Sequence, residues 1–337
     1  MGGISFDLIP VWVVIIGLSV FLYVLLDGFD LGVGMLYGMA PERDRPMIMN
    51  AIAPIWDGNE TWLILGGVAL LAVFPLAFAI IIPAVYFPIL VMLLALVFRG
   101  VAFEFRFEQP WLQRFWSGGF AMGSALASFA QGAVLGAFIQ GFKVEGRVFA
   151  GTSWDWLTPF SVTCGLALMC GYGLLGAGWL IIKSEGELRD WSRRMGLRCL
   201  TGVLLAILAV SIWTPLMDPA IGVRWFSMPN LIFFAPVPLA TALVAFGCFK
   251  ALRGRGPDVA PFFAGMGLFI LSYLGVAISL WPMIVPRRYT LWEASSAEGT
   301  QAFLLIGTLT LVPIILTYTA WSYWVFRGKI KPGVGYH

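Results

Sequence analysis

Three short stretches place ionisable side chains at the edge of long uncharged runs. In LLDGFDLGVG (Leu25–Gly34), Asp27 and Asp30 lie three residues apart, so a helix carries both on one face. In WDGNETWLIL (Trp56–Leu65), Asp57 and Glu60 repeat that spacing with Asn59 between them, and no charge follows from Thr61 to Phe98. FRGVAFEFR (Phe98–Arg106) adds Arg99 and Glu104. Low dielectric and a nearby guanidinium pull a carboxyl's proton affinity in opposite directions, and a carboxyl held between them can load and release a proton near neutral pH. Acids inside a membrane belong by default to proton or ion paths. Trp56 and Asn59 would supply hydrogen-bond donors beside them. The plainer alternative is that these acids are solvated at the headgroups, or pair with Arg99, Arg43 and Arg45 to fix helix ends.

The elements that must position these residues follow from composition. The chain has 337 residues, 60% hydrophobic and 12% charged, with a mean hydropathy of +0.88. Soluble domains carry about 25% charged residues, so the solvent here is lipid. A span needs about 20 apolar residues. The run Thr61–Phe98 would be about 57 Å long as one helix, nearly two bilayers, so it is expected to fold back at a prolyl turn within Phe74–Pro83. The expected fold is all-α and polytopic, a single integral membrane domain over 1–337 with nine spans near 8–37, 56–76, 79–104, 115–142, 157–182, 199–217, 228–250, 260–284 and 300–326. With the N-terminus outside and the C-terminus cytoplasmic, 16 of the 21 Lys and Arg residues fall inside and 5 outside, as the positive-inside rule asks. That orientation puts all three acidic stretches at the cytoplasmic side, with Asp27 about 29 Å along the first helix. No cleavable signal peptide is expected, since the start lacks a basic region and carries Asp7. Gly28 with Gly32, and Gly34 with Gly38, are small-xxx-small pairs that let another backbone approach.

Residues that are missing exclude whole classes of function. The only histidine is His337, the last residue, so haem, copper and zinc ligation through imidazole is not expected in this chain. No metal or cofactor is expected to be bound by the chain alone. Cys164, Cys170, Cys199 and Cys248 lie in apolar runs without a Cys-x-x-Cys pair and read as small buried hydrophobes. There is no phosphate-binding Gly-Lys-Ser/Thr loop for ATP-driven transport. A net charge of +3, with dispersed basic residues, gives no reason to expect nucleic acid.

Taken together, DGFDLGVG, APIWDGNETWL and FRGVAFEFR resemble subunit two of the cytochrome bd-type quinol oxidases. SWDWLTPF (Ser153–Phe160) and WPMIVPRRYTLWEAS (Trp281–Ser295) are similar to later segments of that family, so the likeness runs through most of the chain. GNETW and VAFEFRF look like its cyanide-insensitive branch. The resemblance implies a membrane complex that oxidises quinol and reduces oxygen to water without pumping. Haems b and d are then implied in the larger subunit one. A small accessory subunit, lipid and quinone are further possible partners, and the bacterial cytoplasmic (inner) membrane is the implied location. The fold implied is two four-helix bundles plus one peripheral helix. Subunit two is implied to lend part of the inward proton path, with the WDGN aspartate matching Asp57, the arginine ending the third span matching Arg99, and the DGFD acids matching Asp27 and Asp30. Glu60 matches less securely. The alternative reading is a self-contained proton- or ion-coupled secondary transporter; a third is a scaffold that only retains the haem subunit.

Overall fold

A computed structural model describes residues 7–108 and 110–330. The first helix, α1 (Ile9–Met39), starts where Asp7 Oδ1 accepts a hydrogen bond from the Ile9 amide, 3.0 Å away, with Pro10 in the first turn. Proline is tolerated there because that amide has no helical partner. Short α2 (Arg45–Asn50) leads into α3 (Trp56–Val73), α4 (Pro75–Ala84), α5 (Tyr86–Glu108) and α6 (Gln113–Gln140). A hairpin of β1 (Val144–Glu145) and β2 (Val148–Phe149) precedes α7 (Pro159–Lys183), which opens on a capping box between Thr158 and Ser161. Then come α8 (Gly186–Met217), α9 (Pro219–Phe226), α10 (Asn230–Phe234), α11 (Pro236–Leu252) and α12 (Ala260–Leu280). A second hairpin, β3 (Met283–Val285) with β4 (Tyr289–Thr290), and α13 (Leu291–Ala294) connect to α14 (Glu298–Val325).

Eight of these helices are long and apolar enough to cross a membrane: α1, α5, α6, α7, α8, the α10–α11 segment, α12 and α14. The eighteen residues of α3 include Asp57, Asn59 and Glu60 in the first turns, which lowers their apolar content. The chain is therefore a polytopic, mostly helical integral membrane protein.

Two local outcomes differ from the sequence expectation. The chain does break within the stretch expected to turn, at Phe74, but the rest of that stretch is helix: α4 fills Pro75–Ala84, and a second break follows at Val85. Pro75 and Pro88 sit in first turns, where they start helices, and Pro83 falls in the last turn of α4. At 10 residues α4 is about 15 Å long. It lies against β2, β3 and α13 rather than spanning. Second, α8 begins at Gly186, well before the uncharged run that starts at Cys199. Charge marks where hydrocarbon stops, and the helix continues beyond it.

The packing centre is α1, which touches α3, α6 and α7. Every residue from Asp27 to Gly34 is buried. A Cβ on Gly32 would lie 1.8 Å from the Tyr172 carbonyl oxygen, and one on Gly176 would lie 2.5 Å from the Gly32 carbonyl carbon. Backbone thus meets backbone between α1 and α7, which only glycine permits. Gly34 faces α6 instead, where a Cβ would strike Ser124 Oγ at 2.0 Å. By contrast α8, α11, α12 and α14 present exposed Leu, Ile and Phe, as lipid-facing helices do.

The last helix is tied at one end. Lys183 Nζ donates to the Phe326 carbonyl at 2.6 Å, and the Ile330 amide donates to the Lys183 carbonyl at 2.9 Å. Lys329 Nζ reaches the Ser184 carbonyl at 2.9 Å and Asp258 Oδ2 at 3.0 Å. Asp258 also accepts from Arg193 at 3.0 Å. Partial burial pushes its carboxyl up, but Lys329, Arg189 and Arg193 outweigh that and hold it below the usual carboxylate range.

Candidate functional site

The i,i+3 spacing on α1 does carry Asp27 and Asp30 into the interior together, and both are completely buried. They take different partners. Arg99, from α5, is 1% exposed; its Nη1 lies 3.4 Å from Asp27 Oδ1 and donates to Glu60 Oε1 on α3 at 2.8 Å. Asn59, also on α3, donates through Nδ2 to Asp30 Oδ2 at 2.7 Å and to the Leu26 carbonyl at 3.3 Å. Trp56 is half-buried and forms a wall: it stacks on Phe103 at 5.6 Å, and the Arg99 guanidinium lies 5.5 Å from its ring centroid.

Two residues singled out in the sequence stay outside this cluster. Asp57 is exposed on the first turn of α3, and Glu104 is exposed on α5; neither forms a hydrogen bond or ion pair among the described residues. Helical geometry explains both. Glu104 is five residues after Arg99, an offset of about 140° at 100° per residue, which turns it to another face; Asp57 is on the same side as Glu60 but one turn nearer the start of α3, at its exposed end.

The structure adds side chains that no sequence pattern marked. Tyr323, on α14, donates to Asn59 Oδ1 at 3.0 Å. Gln131, on α6, donates to the Tyr23 hydroxyl at 2.7 Å and accepts from the Tyr172 hydroxyl at 2.7 Å. Tyr23 lies one turn before Asp27, with its hydroxyl beside that carboxyl. A lone Tyr or Gln in an apolar helix gives no spacing signal. Only the demand that a buried polar group find a partner could have pointed to them.

Chemically, three carboxyls face one guanidinium. Four buried polar atoms of the cluster, Asp27 Oδ2, Asp30 Oδ1, Arg99 Nε and Arg99 Nη2, lack a hydrogen-bond partner among the described residues. Buried charge without full pairing is costly, and stability alone gives weak reason to build it. A surplus of carboxyl oxygens over cations can hold protons. No other buried cluster of acids occurs among the described residues.

Comparison with known proteins shows what the chain is similar to. The family model described as cytochrome bd terminal oxidase subunit II matches residues 8–326. The chain is 28% identical over 357 residues to cytochrome bd-I ubiquinol oxidase subunit 2 of Escherichia coli K12, covering 95% of this chain and 94% of that one. It is 28% identical over 336 residues to cytochrome bd ubiquinol oxidase subunit 2 of Bacillus subtilis, covering 95% and 96%. A chain in the structure of bd oxidase from Geobacillus thermodenitrificans superposes with a TM-score of 0.76 at 15% identity, over 95% of this chain and 99% of that one, which shows a shared fold. The chain belongs to the cytochrome bd terminal oxidase subunit II family.

Proposed function

We propose that this chain is the non-haem subunit of a bd-type terminal oxidase, a quinol:oxygen oxidoreductase, and that it supplies part of the cytoplasmic-side proton path. The observation that carries the reading is the buried cluster of Asp27, Asp30, Glu60 and Arg99 in a chain of this family. Haem ligation through imidazole does not fit the donor set: the one histidine of the sequence is His337, outside the described residues. Haems b and d are therefore assigned to the larger partner, subunit one, and quinol to the complex as substrate. GNETW and VAFEFRF further suggest the cyanide-insensitive branch, testable by cyanide titration of oxygen uptake.

The architecture proposed with this function has nine spans, counting α3. The grouping proposed is α1, α3, α5 and α6 against α7, α8, α11 and α12, joined where α7 packs on α1 and α6, with α14 peripheral. The 16-to-5 distribution of basic residues supports an outside N-terminus in the bacterial cytoplasmic membrane. Asp57 then stands at the cytoplasmic surface as the collecting acid, and Asp30, Asp27 and Glu60 carry protons in the interior beside Asn59, Arg99 and Trp56. Glu104 lies at the same surface. The test purifies the complex through a tag on this chain. Haem-d absorbance is expected to co-purify, and Asp57→Asn is expected to lower oxygen-reduction turnover with haem content retained. Absence of haem d refutes the oxidase reading, and unchanged turnover refutes the role of Asp57.

A further inference from the structure

The first turn of α3 and the last turns of α14 leave a small cavity of about 20 Å³ between them, lined by Gly58, Asn59, Tyr318, Thr319, Ser322 and Tyr323 among others. About 10–15 Å³ on this measure holds one water, provided two to four polar groups bind it. Asn59, Thr319, Ser322 and Tyr323 meet that requirement. The cavity is partly open and reaches Asn59, which is 1% exposed and holds Asp30 Oδ2. The second oxygen, Asp30 Oδ1, is buried without a partner among the described residues.

We propose that the α3–α14 seam is a water inlet to the buried acids, with Tyr323 and Asn59 as positioning residues that hold Asp30 at its inner end. This rests on the proton-path reading above. Three features make the seam suitable. Gly58 keeps it open, since the Cβ it lacks would sit 3.8 Å from the Tyr318 ring and any larger side chain would extend into the gap. Tyr323 is braced by Trp179 and Phe29, at ring-centroid distances of 5.9 and 6.4 Å, so its hydroxyl is fixed on Asn59 Oδ1. Its partner Asn59 turns its amide group to Asp30, which aligns the carboxyl. Finally, α14 packs mainly on α3, and the tie through Lys183 and Lys329, just past Tyr323, holds this end of α14 in register. An amide does not relay protons, so Asn59 orients the carboxyl while water in the seam carries the proton.

The test uses the complex in inside-out membrane vesicles, with the four native cysteines replaced by serine. Thr319→Cys is compared with Ala320→Cys, which sits at the same depth on the exposed face of α14. A charged, membrane-impermeant maleimide is expected to label position 319 several-fold faster than position 320. Tyr323→Phe, which keeps the ring packing, is expected to lower oxygen-reduction turnover several-fold and raise its solvent deuterium isotope effect, with haem content and thermal stability unchanged. Equal labelling at 319 and 320 overturns the inlet. Selective labelling with wild-type turnover and isotope effect in Tyr323→Phe overturns the positioning role. If labelling is selective but Asp27→Asn and Asp30→Asn both retain full turnover, the proton-path reading itself fails instead.

Discussion

Arg99 is the residue whose loss should cost the fold most, and the geometry says by how much. Its guanidinium is 1% exposed and serves two carboxyls, Asp27 at 3.4 Å and Glu60 at 2.8 Å. Arg99→Met keeps the apolar stem but strands both. Removing one partner of a buried ion pair costs about 3–5 kcal/mol, which is about two to nearly four decades in an unfolding equilibrium. The reverse cut is milder. Asp27→Asn leaves Arg99 bonded to Glu60, whose side chain is 27% exposed and reaches solvent, so the expected cost is about 1–2 kcal/mol. Combining the two removes the stranded buried acid, so the double variant should be less destabilised than the sum, by a coupling of about 0.5–3 kcal/mol. The assay is SDS titration of the purified complex in mixed micelles, followed by tryptophan fluorescence and haem absorbance. If Arg99→Met costs no more than Asp27→Asn, or if the double variant equals the sum, the pairing does not hold the cluster together.

Two glycines on neighbouring helices should respond in opposite senses. Gly32→Ala drives a methyl group into the Tyr172 carbonyl, 1.8 Å away; α1 and α7 must separate, with a loss of at least about 1–3 kcal/mol, read as lower yield of the complex. Gly67→Ala on α3 meets nothing within 4 Å and should stabilise by about 0.5–1 kcal/mol. At the tail, the depressed proton affinity of Asp258 gives a signed pH effect. Its pairing with Lys329, Arg189 and Arg193 is fully present above the unfolded-state value of about 3.9 and is lost as pH falls through the folded-state value. Because the pair is largely solvated, the contribution stays below about 1 kcal/mol. Asp258→Asn should therefore speed proteolytic release of the segment after Val325 at pH 7, and acidification below about pH 4 should do the same to the unaltered chain.

How much of this was legible depends on whether a feature repeats along the chain or arises across it. Asp27 and Asp30 were legible because their spacing is helical and both fall in one apolar run. Arg99 was legible because it ends such a run. The close approach promised by Gly28 and Gly32 was legible as well, although nothing in the sequence said that α7 would answer it. Position on the helix mattered more than proximity in sequence for the WDGNE group: residues two apart there diverge, Asn59 to the core and Asp57 to the surface. Tyr323, Gln131, Tyr23 and Tyr172 were illegible, because a single polar residue in an apolar helix signals nothing until its partner is known. The helix at Pro75–Ala84 was illegible for a related reason. Proline marks a helix start as readily as a turn, and only the packing of α4 against the β-hairpins decides between them.

The DGFDLGVG stretch makes two kinds of contact on opposite faces of one helix. At about 100° per residue, Gly28 and Gly32 centre about 150° away from Asp27 and Asp30. The glycine face takes the α7 backbone at contact distance, so water and lipid are excluded there. The acid face is turned to α3 and α5, where Asn59, Glu60 and Arg99 are the polar groups within reach. Tight docking on one side is what makes the other side's acids interior residues. A looser α1–α7 contact would hydrate the acids from behind, and they would no longer depend on Arg99 and Asn59. Helix packing and the buried polar cluster are thus coupled through eight residues, with the glycines as necessary to the cluster as the carboxyls.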